Sequence, residues 1–178
     1  EEAEVVAPGS DGLIVLPYLS GERTPLWNPN ARGMVFGLSF SHTRGHWVRA
    51  MMEGGVYAVY HCLRIMQENH LEIKSPILVS EGGSKSALWR QIASDIMNVE
   101  LSYMKEAKGA PMGNVINAGV ASGIFKSFDV AKDFIHVEQI HYPDLERHAV
   151  YEKYYALYRK LYEDIKENYD ILSRIKNG

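Results

Sequence analysis

Cysteine is nearly absent: Cys62 is the only one in 178 residues. No intramolecular disulfide can form, which excludes a disulfide-stapled scaffold and fits a reducing compartment. A cytoplasmic protein is expected, with Cys62 used as a small buried side chain. Net charge is also scarce, −3 with the histidines neutral, so the basic footprint of a nucleic-acid binder is missing. Long apolar runs are missing too. The five residues 12–16 fall far short of the roughly 20 that a membrane span needs. Neither nucleic acid nor membrane is an expected partner, and no internal repeat or low-complexity tract occurs.

What remains is a globular composition, 46% apolar and 23% charged, on a chain long enough to bury a core. The first residue is Glu1 rather than methionine, and the sequence is expected to start inside a longer protein.

The apolar run at 12–18, closed by Pro17 and Tyr18, predicts a buried strand. Residues 19–33 carry Pro25, Pro29, Gly21 and Gly33 among polar neighbours and predict an ordered loop. A second short strand follows at 34–38. Thr43 then stands where a helix N-cap is expected, before a helix running to about Asn69. Val48, Met52, Gly55, Val59, Cys62 and Met66 recur on one face of it. Gly54 and Gly55 each cost that helix about 1 kcal/mol relative to alanine, and close approach of another backbone would explain them. A strand at 76–80, a glycine turn and a helix at 86–97 come next, the helix carrying Leu88, Ile92 and Ile96 as its apolar row. A strand at 99–104, a helix from Pro111 to about 125, a short helix at 129–134 and a strand at 135–140 lead to a last helix at 144–171. In that helix Val150, Tyr154, Leu157, Leu161, Ile165 and Leu172 form one row, with Tyr151, Tyr155, Tyr158 and Tyr162 beside it, a stripe expected to pack against the parent domain rather than to line a ligand site. Alternating strands and helices predict an α/β fold with a mixed sheet and flanking helices.

The sharpest local feature is the stretch Ile77-Leu78-Val79-Ser80-Glu81-Gly82-Gly83-Ser84-Lys85-Ser86 leading into Ala87-Leu88-Trp89. A strand, a tight glycine turn and a helix in succession place the turn at the carboxyl edge of a sheet, where α/β proteins put ligands. Glycine there lets a ligand approach the backbone closely. Two glycines between a strand and a helix also serve as a plain structural turn, and the Gly-Lys-Ser/Thr ending of a phosphate-binding Walker loop is absent.

Four segments together are more specific. Residues 9–33 include Leu16-Pro17-Tyr18-Leu19-Ser20-Gly21-Glu22-Arg23-Thr24-Pro25. They are followed by Gly37-Leu38, His42, His46, Arg49-Ala50 and Glu53-Gly54, then Gly82-Gly83-Ser84 with Trp89, Gln91 and Asp95, then Ala110-Pro111-Met112-Gly113. In this order they resemble the carboxy-terminal domain of the FGGY carbohydrate kinases. The resemblance covers nearly the whole chain, so that residues 1–178 are expected to be that domain, truncated on its amino-terminal side.

The resemblance implies a two-domain ribonuclease-H-like architecture, shared with hexokinase and actin, with ATP and Mg²⁺ at the cleft between domains. A sugar hydroxyl would receive the γ-phosphoryl group, by positioning and charge stabilisation. The family's catalytic aspartate, phosphate loops and sugar-binding residues lie upstream of the segment that begins at Gly9. The chain alone is therefore expected to be inactive, and an amino-terminal domain of the same protein is an expected partner. What carries over is an adenosine half-site: Gly82, Gly83 and Ser84 lining base and ribose. Ala87 falls where some members place an amide side chain against adenine, which leaves backbone contact and shape to hold the base. The residues 43–46 and the Gly21-Glu22-Arg23-Thr24-Pro25 loop lean towards gluconate-type members, with xylulose-type ketose kinases as the other near group.

Smaller features have plainer readings. Glu22 and Arg23 could touch substrate, but pinning their own loop is the favoured role, and Arg32 is expected to fix the same loop. His42 and His46 are four apart, a spacing that can serve zinc on a helix, yet no third ligand follows at a convincing spacing. His136, His141 and His148 are expected to be solvated. A rival to the kinase reading is a non-enzymatic binding module whose tyrosine-rich helix docks a partner. Apolar area on that helix would also make the isolated chain a homodimer.

Overall fold

In a computed structural model, which describes residues 1–104 and 109–177, the chain builds around helix α1, Arg44–Glu68. Thr43 is its N-cap in extended conformation, and His46 reaches back so that its Nδ1 accepts from the Thr43 amide at 3.1 Å. Those two residues close a capping box, a local device that fixes where the helix starts. Strands β1 (Ile14–Leu16) and β2 (Met34–Phe36) pair antiparallel, with Val15 opposite Val35. β1 lies against α1 so closely that a Cβ on Gly54 would stand 2.3 Å from the Val15 carbonyl oxygen. Glycine is therefore required there, as the helix pattern implied.

A second sheet is mixed. β3 (Ile77–Val79) runs parallel to β4 (Leu101–Tyr103), and β4 pairs antiparallel with β5 (Gln139–His141). Helix α2 (Ala87–Met97) connects β3 to β4, capped by Ser86, whose Oγ accepts from the Trp89 amide, and closed by Asn98 in the left-handed conformation. Helix α3 (Gly109–Ala121) and a 3-10 segment (Phe128–Phe134) precede β5. Helix α4, Leu145–Asn177, is 33 residues long. It outruns the expected end near 171 because no glycine or proline interrupts it before Gly178. Arg174 and Lys176 in its last turn suit the helix dipole.

The core forms where α4 crosses α1 and β1. Tyr18, Tyr151 and Tyr158 are at most 2% exposed, and Tyr57, Tyr60, Tyr155 and Tyr162 join them. Tyr57 packs its ring against Tyr151, Tyr155 and Tyr158 at centroid distances of 5.3–6.3 Å. Some hydroxyls find polar partners inside, Tyr18 with Tyr158 at 2.6 Å and Tyr162 with Asn28 at 3.1 Å, whereas those of Tyr57 and Tyr155 are buried without one among the described residues.

Helix α4 therefore packs through its tyrosine stripe, the favoured reading of that stripe in the sequence. Its buried stripe is the tyrosines together with Leu161, while Val150, Leu157 and Leu172 of the aliphatic row are 37–48% exposed. A tyrosine buries a large ring, and where the fold brings a partner, as for Tyr18, Tyr158 and Tyr151, its hydroxyl is bonded as well. The tyrosine helix thus packs on its own domain. The docking module read from it loses its footing, and so does the homodimer argued from its exposure. Among the described residues, no helix is long and apolar enough to cross a membrane.

Candidate functional site

Between β3 and α2 the chain makes a 3-10 turn, Gly82–Lys85. It is entered through Glu81 at φ 60° and ψ 175°, a region glycine dominates and that costs another residue about 1–3 kcal/mol. Three contacts hold Glu81 there. Its carbonyl accepts from the Ser84 amide at 3.0 Å and from the Ser84 hydroxyl at 2.6 Å. Its carboxylate meets Lys85 Nζ at 3.2 Å. Gly82 has nothing within 4 Å of where a Cβ would be, whereas a Cβ on Gly83 would fall 1.8 Å from Trp89 Cζ3. The indole ring therefore lies flush on the Gly83 backbone, which only glycine permits.

The turn forms one edge of an open cleft of about 470 Å³ between α1 and α2. Gly55, Val56 and Val59 line it from α1, Leu78 and Val79 from β3, and Trp89, Ala93 and Met97 from α2. Its size lies in the range of small-ligand sites. Trp89 forms a fixed wall, because its Nε1 donates to the Met52 carbonyl at 3.0 Å. A Cβ on Gly55 would come 3.3 Å from Trp89 Cζ2, so the missing side chain keeps this wall free. Apolar walls with a rim of Ser80, Glu81 and Ser84 suit a flat ring system carrying a polar appendage.

Behind the turn sits Arg90, 5% exposed. Its Nη1 donates to the Ser84 carbonyl at 2.6 Å, its Nε to His141 Nε2 at 2.9 Å and its Nη2 to Gln139 Oε1. Its guanidinium carbon lies 4.1 Å from the centroid of the Tyr103 ring. An arginine Nε only donates, so His141 accepts at Nε2 and carries its proton on Nδ1, which faces Gln91 Oε1 at 3.1 Å. Burial, and then the Arg90 charge, hold the imidazole pKa below its ordinary value. Gln91 Nε2 passes the chain of bonds to Asp95 Oδ1 at 2.8 Å, and Asp95 also meets the Asp144 amide and Arg147 Nε. Burial raises the Asp95 pKa against these partners. His141 is thus buried and bonded, and His148 Nδ1 donates to the Asp95 carbonyl at 3.0 Å, contrary to the solvated roles expected of them. His136 is exposed.

A second buried network lies on the far side of α1. Glu53 Oε1 accepts from Arg49 Nε, the Gly9 amide and the Tyr151 hydroxyl at 2.9–3.1 Å, and Oε2 accepts from Ser10 at 2.9 Å. Arg49 also donates to the Ala3 carbonyl and to Tyr151. Burial raises the Glu53 pKa, with Arg49 opposing. The network ties residues 3–10 to α1 and α4.

Of the residues singled out in the sequence, Gly83 and Ser84 border the cleft, and Gly82 lies in the same turn. Ala87 borders a separate hollow of about 750 Å³ with Arg44, Val48 and Met52. Glu22 pins its loop by accepting from the Arg23 and Thr24 amides, and Arg32 donates to the Pro29 and Ala31 carbonyls. His46 Nε2 faces Asp11 Oδ2 at 2.9 Å, and among the described residues no group of three or more potential ligands could hold a metal ion. Cys62 is half-buried, with its thiol directed at the Thr24 carbonyl at 3.3 Å and burial raising its pKa. The role of Arg90 was not read in the sequence, and His141 was read there only as a solvated histidine. Arg90 directly follows Trp89, which is the one available hint, and nothing in the sequence marks His141 as its partner 51 residues on.

Comparison with known proteins gives a consistent result. The model of the carboxy-terminal domain of the FGGY family of carbohydrate kinases matches residues 1–122. The chain is similar to a xylulose kinase of Staphylococcus epidermidis, 37% identical over 89% of this chain and 32% of that protein. It is also similar to a gluconokinase of Bacillus licheniformis, 36% identical over 94% of this chain and 33% of that protein. The solved structure of ligand-bound xylulose kinase from Lactobacillus acidophilus superposes with a TM-score of 0.84 at 30% identity, covering 96% of this chain and 35% of that one. The chain therefore spans about a third of the length of the curated relatives it matches, and its mixed sheet with flanking helices is of the ribonuclease-H-like ATPase class.

Proposed function

The chain belongs to the FGGY family of carbohydrate kinases, and from that premise we propose that it supplies the adenosine end of an ATP site. The protein containing it transfers the γ-phosphoryl group to a hydroxyl of a sugar or sugar acid of the xylulose or gluconate kind. The observation that carries this reading is the apolar cleft of about 470 Å³ with the Gly82–Lys85 turn at its edge. Its walls fit a purine ring, and the Gly83 backbone and Ser84 stand at its rim.

In this reading the base stacks between the α1 side of the cleft and Trp89, with no side-chain amide to read it, since Ala87 is at another hollow. The sugar oxygen bonds to the γ-phosphorus as the bond to the β–γ bridging oxygen breaks, and the hydroxyl proton passes to a carboxylate. That carboxylate, the phosphate loops and the sugar contacts are assigned to sequence beyond these 178 residues, in an amino-terminal domain of the same protein. Mg²⁺ would be held largely by the phosphates it neutralises. The part played by this chain is to orient the nucleotide and to exclude water from its base.

The test is made on the full-length protein. Calorimetry with a non-hydrolysable ATP analogue should show one site, and a coupled assay over a sugar panel should show turnover with one sugar class. Failure to bind nucleotide would overturn the reading. Gly83→Val, which forces Trp89 off the turn, should raise the KM for ATP by tenfold or more, on the order expected for losing one well-packed contact face.

A further inference from the structure

We propose that Arg90, locked in place by His141 and Gln139, is a positioning residue that sets the shape of the nucleoside end of the cleft. This inference rests on the proposed nucleotide site. Arg90 bonds the carbonyl of Ser84, the residue that in turn fixes Glu81 through its amide and hydroxyl. The conformation of the rim is therefore held from behind by a single side chain. A 3-10 turn has weaker internal hydrogen bonds than an α-helix, so an external donor on its carbonyl has a large share in its rigidity.

The arginine itself has little freedom. Its three nitrogens bond three acceptors in different directions, and its face stacks on Tyr103. Lysine cannot reproduce that fork. Two of the acceptors, Gln139 and His141, belong to β5, so the far edge of the mixed sheet is wired to the rim of the cleft. The link requires a neutral His141. Once protonated, Nε2 would present a second donor and a like charge to Arg90. The charged and titratable groups facing His141 are Arg90 and Asp95 from α2, with Tyr103 of β4 beside Arg90. The Asp95 carboxylate favours the proton while Arg90 opposes it.

The experiment uses the full-length protein and adenosine, which has no phosphate to titrate, with affinity measured by calorimetry between pH 8 and pH 5. In the wild type, affinity should weaken as pH falls through the range in which His141 takes up its proton. Arg90→Lys should weaken adenosine binding and raise the KM for ATP by about tenfold, the size of one buried charged hydrogen bond, with kcat and the KM for sugar little changed. His141→Gln, which still offers Arg90 an acceptor, should bind adenosine with an affinity independent of pH. If Arg90→Lys melts too far below the wild type to be compared, the milder Gln139→Ala, at an exposed position on β5, decides, with a weakening of about threefold expected. Wild-type adenosine affinity that is flat in pH, together with unchanged binding in a folded Arg90 or Gln139 variant, would overturn the inference while leaving the nucleotide site standing. If the wild type binds neither adenosine nor ATP, the nucleotide-site reading fails, and this inference with it.

Discussion

Towards α4, helix α1 presents Tyr57 and Tyr60, 2% and 5% exposed, to a bank of tyrosines. Towards β3 it presents Gly55 and Val59, the latter 54% exposed, to an open cleft. Along the first side, rings interlock and the buried ion pair is fully bonded: Arg49 and Glu53 share four hydrogen-bonding partners between them in Gly9, Ser10, Tyr151 and Ala3. Along the second side, apolar area is left unburied and a glycine keeps a tryptophan wall bare. Burial of apolar surface is the main stabilising term in folding, so the first side carries stability, and the second leaves apolar area open where the proposed nucleotide base would lie. Adjacent residues of one helix, Gly54 and Gly55, fall on opposite sides of this divide.

The sharpest way to break the comparison is at Glu53. Glu53→Ala leaves Arg49 buried without its counter-charge and should lower stability by about 3–5 kcal/mol, measured by urea unfolding. Adenosine affinity of the fraction that stays folded should be unchanged. A loss below about 1 kcal/mol would show that the closed side is not where stability resides.

Gly54→Ala comes next. The new methyl would meet the Val15 carbonyl oxygen at 2.3 Å. Overpacking costs about 1–3 kcal/mol, and here the upper part of that range is expected because backbone has to move. Against it stands about 1 kcal/mol of gained helix propensity, so a net loss of about 2 kcal/mol is expected in the same unfolding assay.

The two sides also carry one buried histidine each. His61, beside Tyr155, and His141 are both held below their ordinary pKa of 6.5. Burial is the first cause in each case, followed by Arg159 for His61 and Arg90 for His141. Below pH 6.5 the unfolded chain binds protons that the folded chain refuses, so stability falls as pH drops from 6.5 towards the lowered folded values. His61→Phe and His141→Gln should each flatten part of that slope in melting curves run from pH 7.5 to pH 5. Only the His141 change should alter how adenosine binding depends on pH.

The smallest effect on stability is expected one residue along from Gly54. Gly55→Ala gains helix propensity and brings its methyl to 3.3 Å from the Trp89 ring, where a small shift relieves it. Melting should move by no more than about 0.5 kcal/mol equivalent, while adenosine affinity drops severalfold because the methyl intrudes on the cleft. Equal losses of stability for Gly54→Ala and Gly55→Ala would erase the distinction between the two sides.

How much of this could be read in the sequence depended on the range of the interaction. The start of α1 at Thr43 was legible because a cap acts over three residues, and the glycine turn after β3 with the helix behind it was legible because strand, turn and helix are contiguous. The need for Gly54 was foreseen, though not its partner Val15, which comes from a strand nearly forty residues earlier. The packing role of the tyrosine stripe on α4 was legible from its helical spacing, but not what Tyr158 would bond. Only the fold brings Tyr18 to bond that hydroxyl. The arginine behind the turn was illegible for the same reason, since its acceptors at 139 and 141 arrive only when β5 pairs with β4.

Trp89 has one more consequence, an optical one. These 178 residues hold three tryptophans; Trp27 is 78% and Trp47 37% exposed, and both lie outside the cleft. Trp89 alone lines it, with its indole nitrogen bonded to a backbone carbonyl and its ring half-buried. Replacing Trp27 and Trp47 by phenylalanine would leave a single emitter in the wall of the cavity. Its emission would then respond to whatever displaces water from that wall, so the chain carries its own label for occupancy of the cleft.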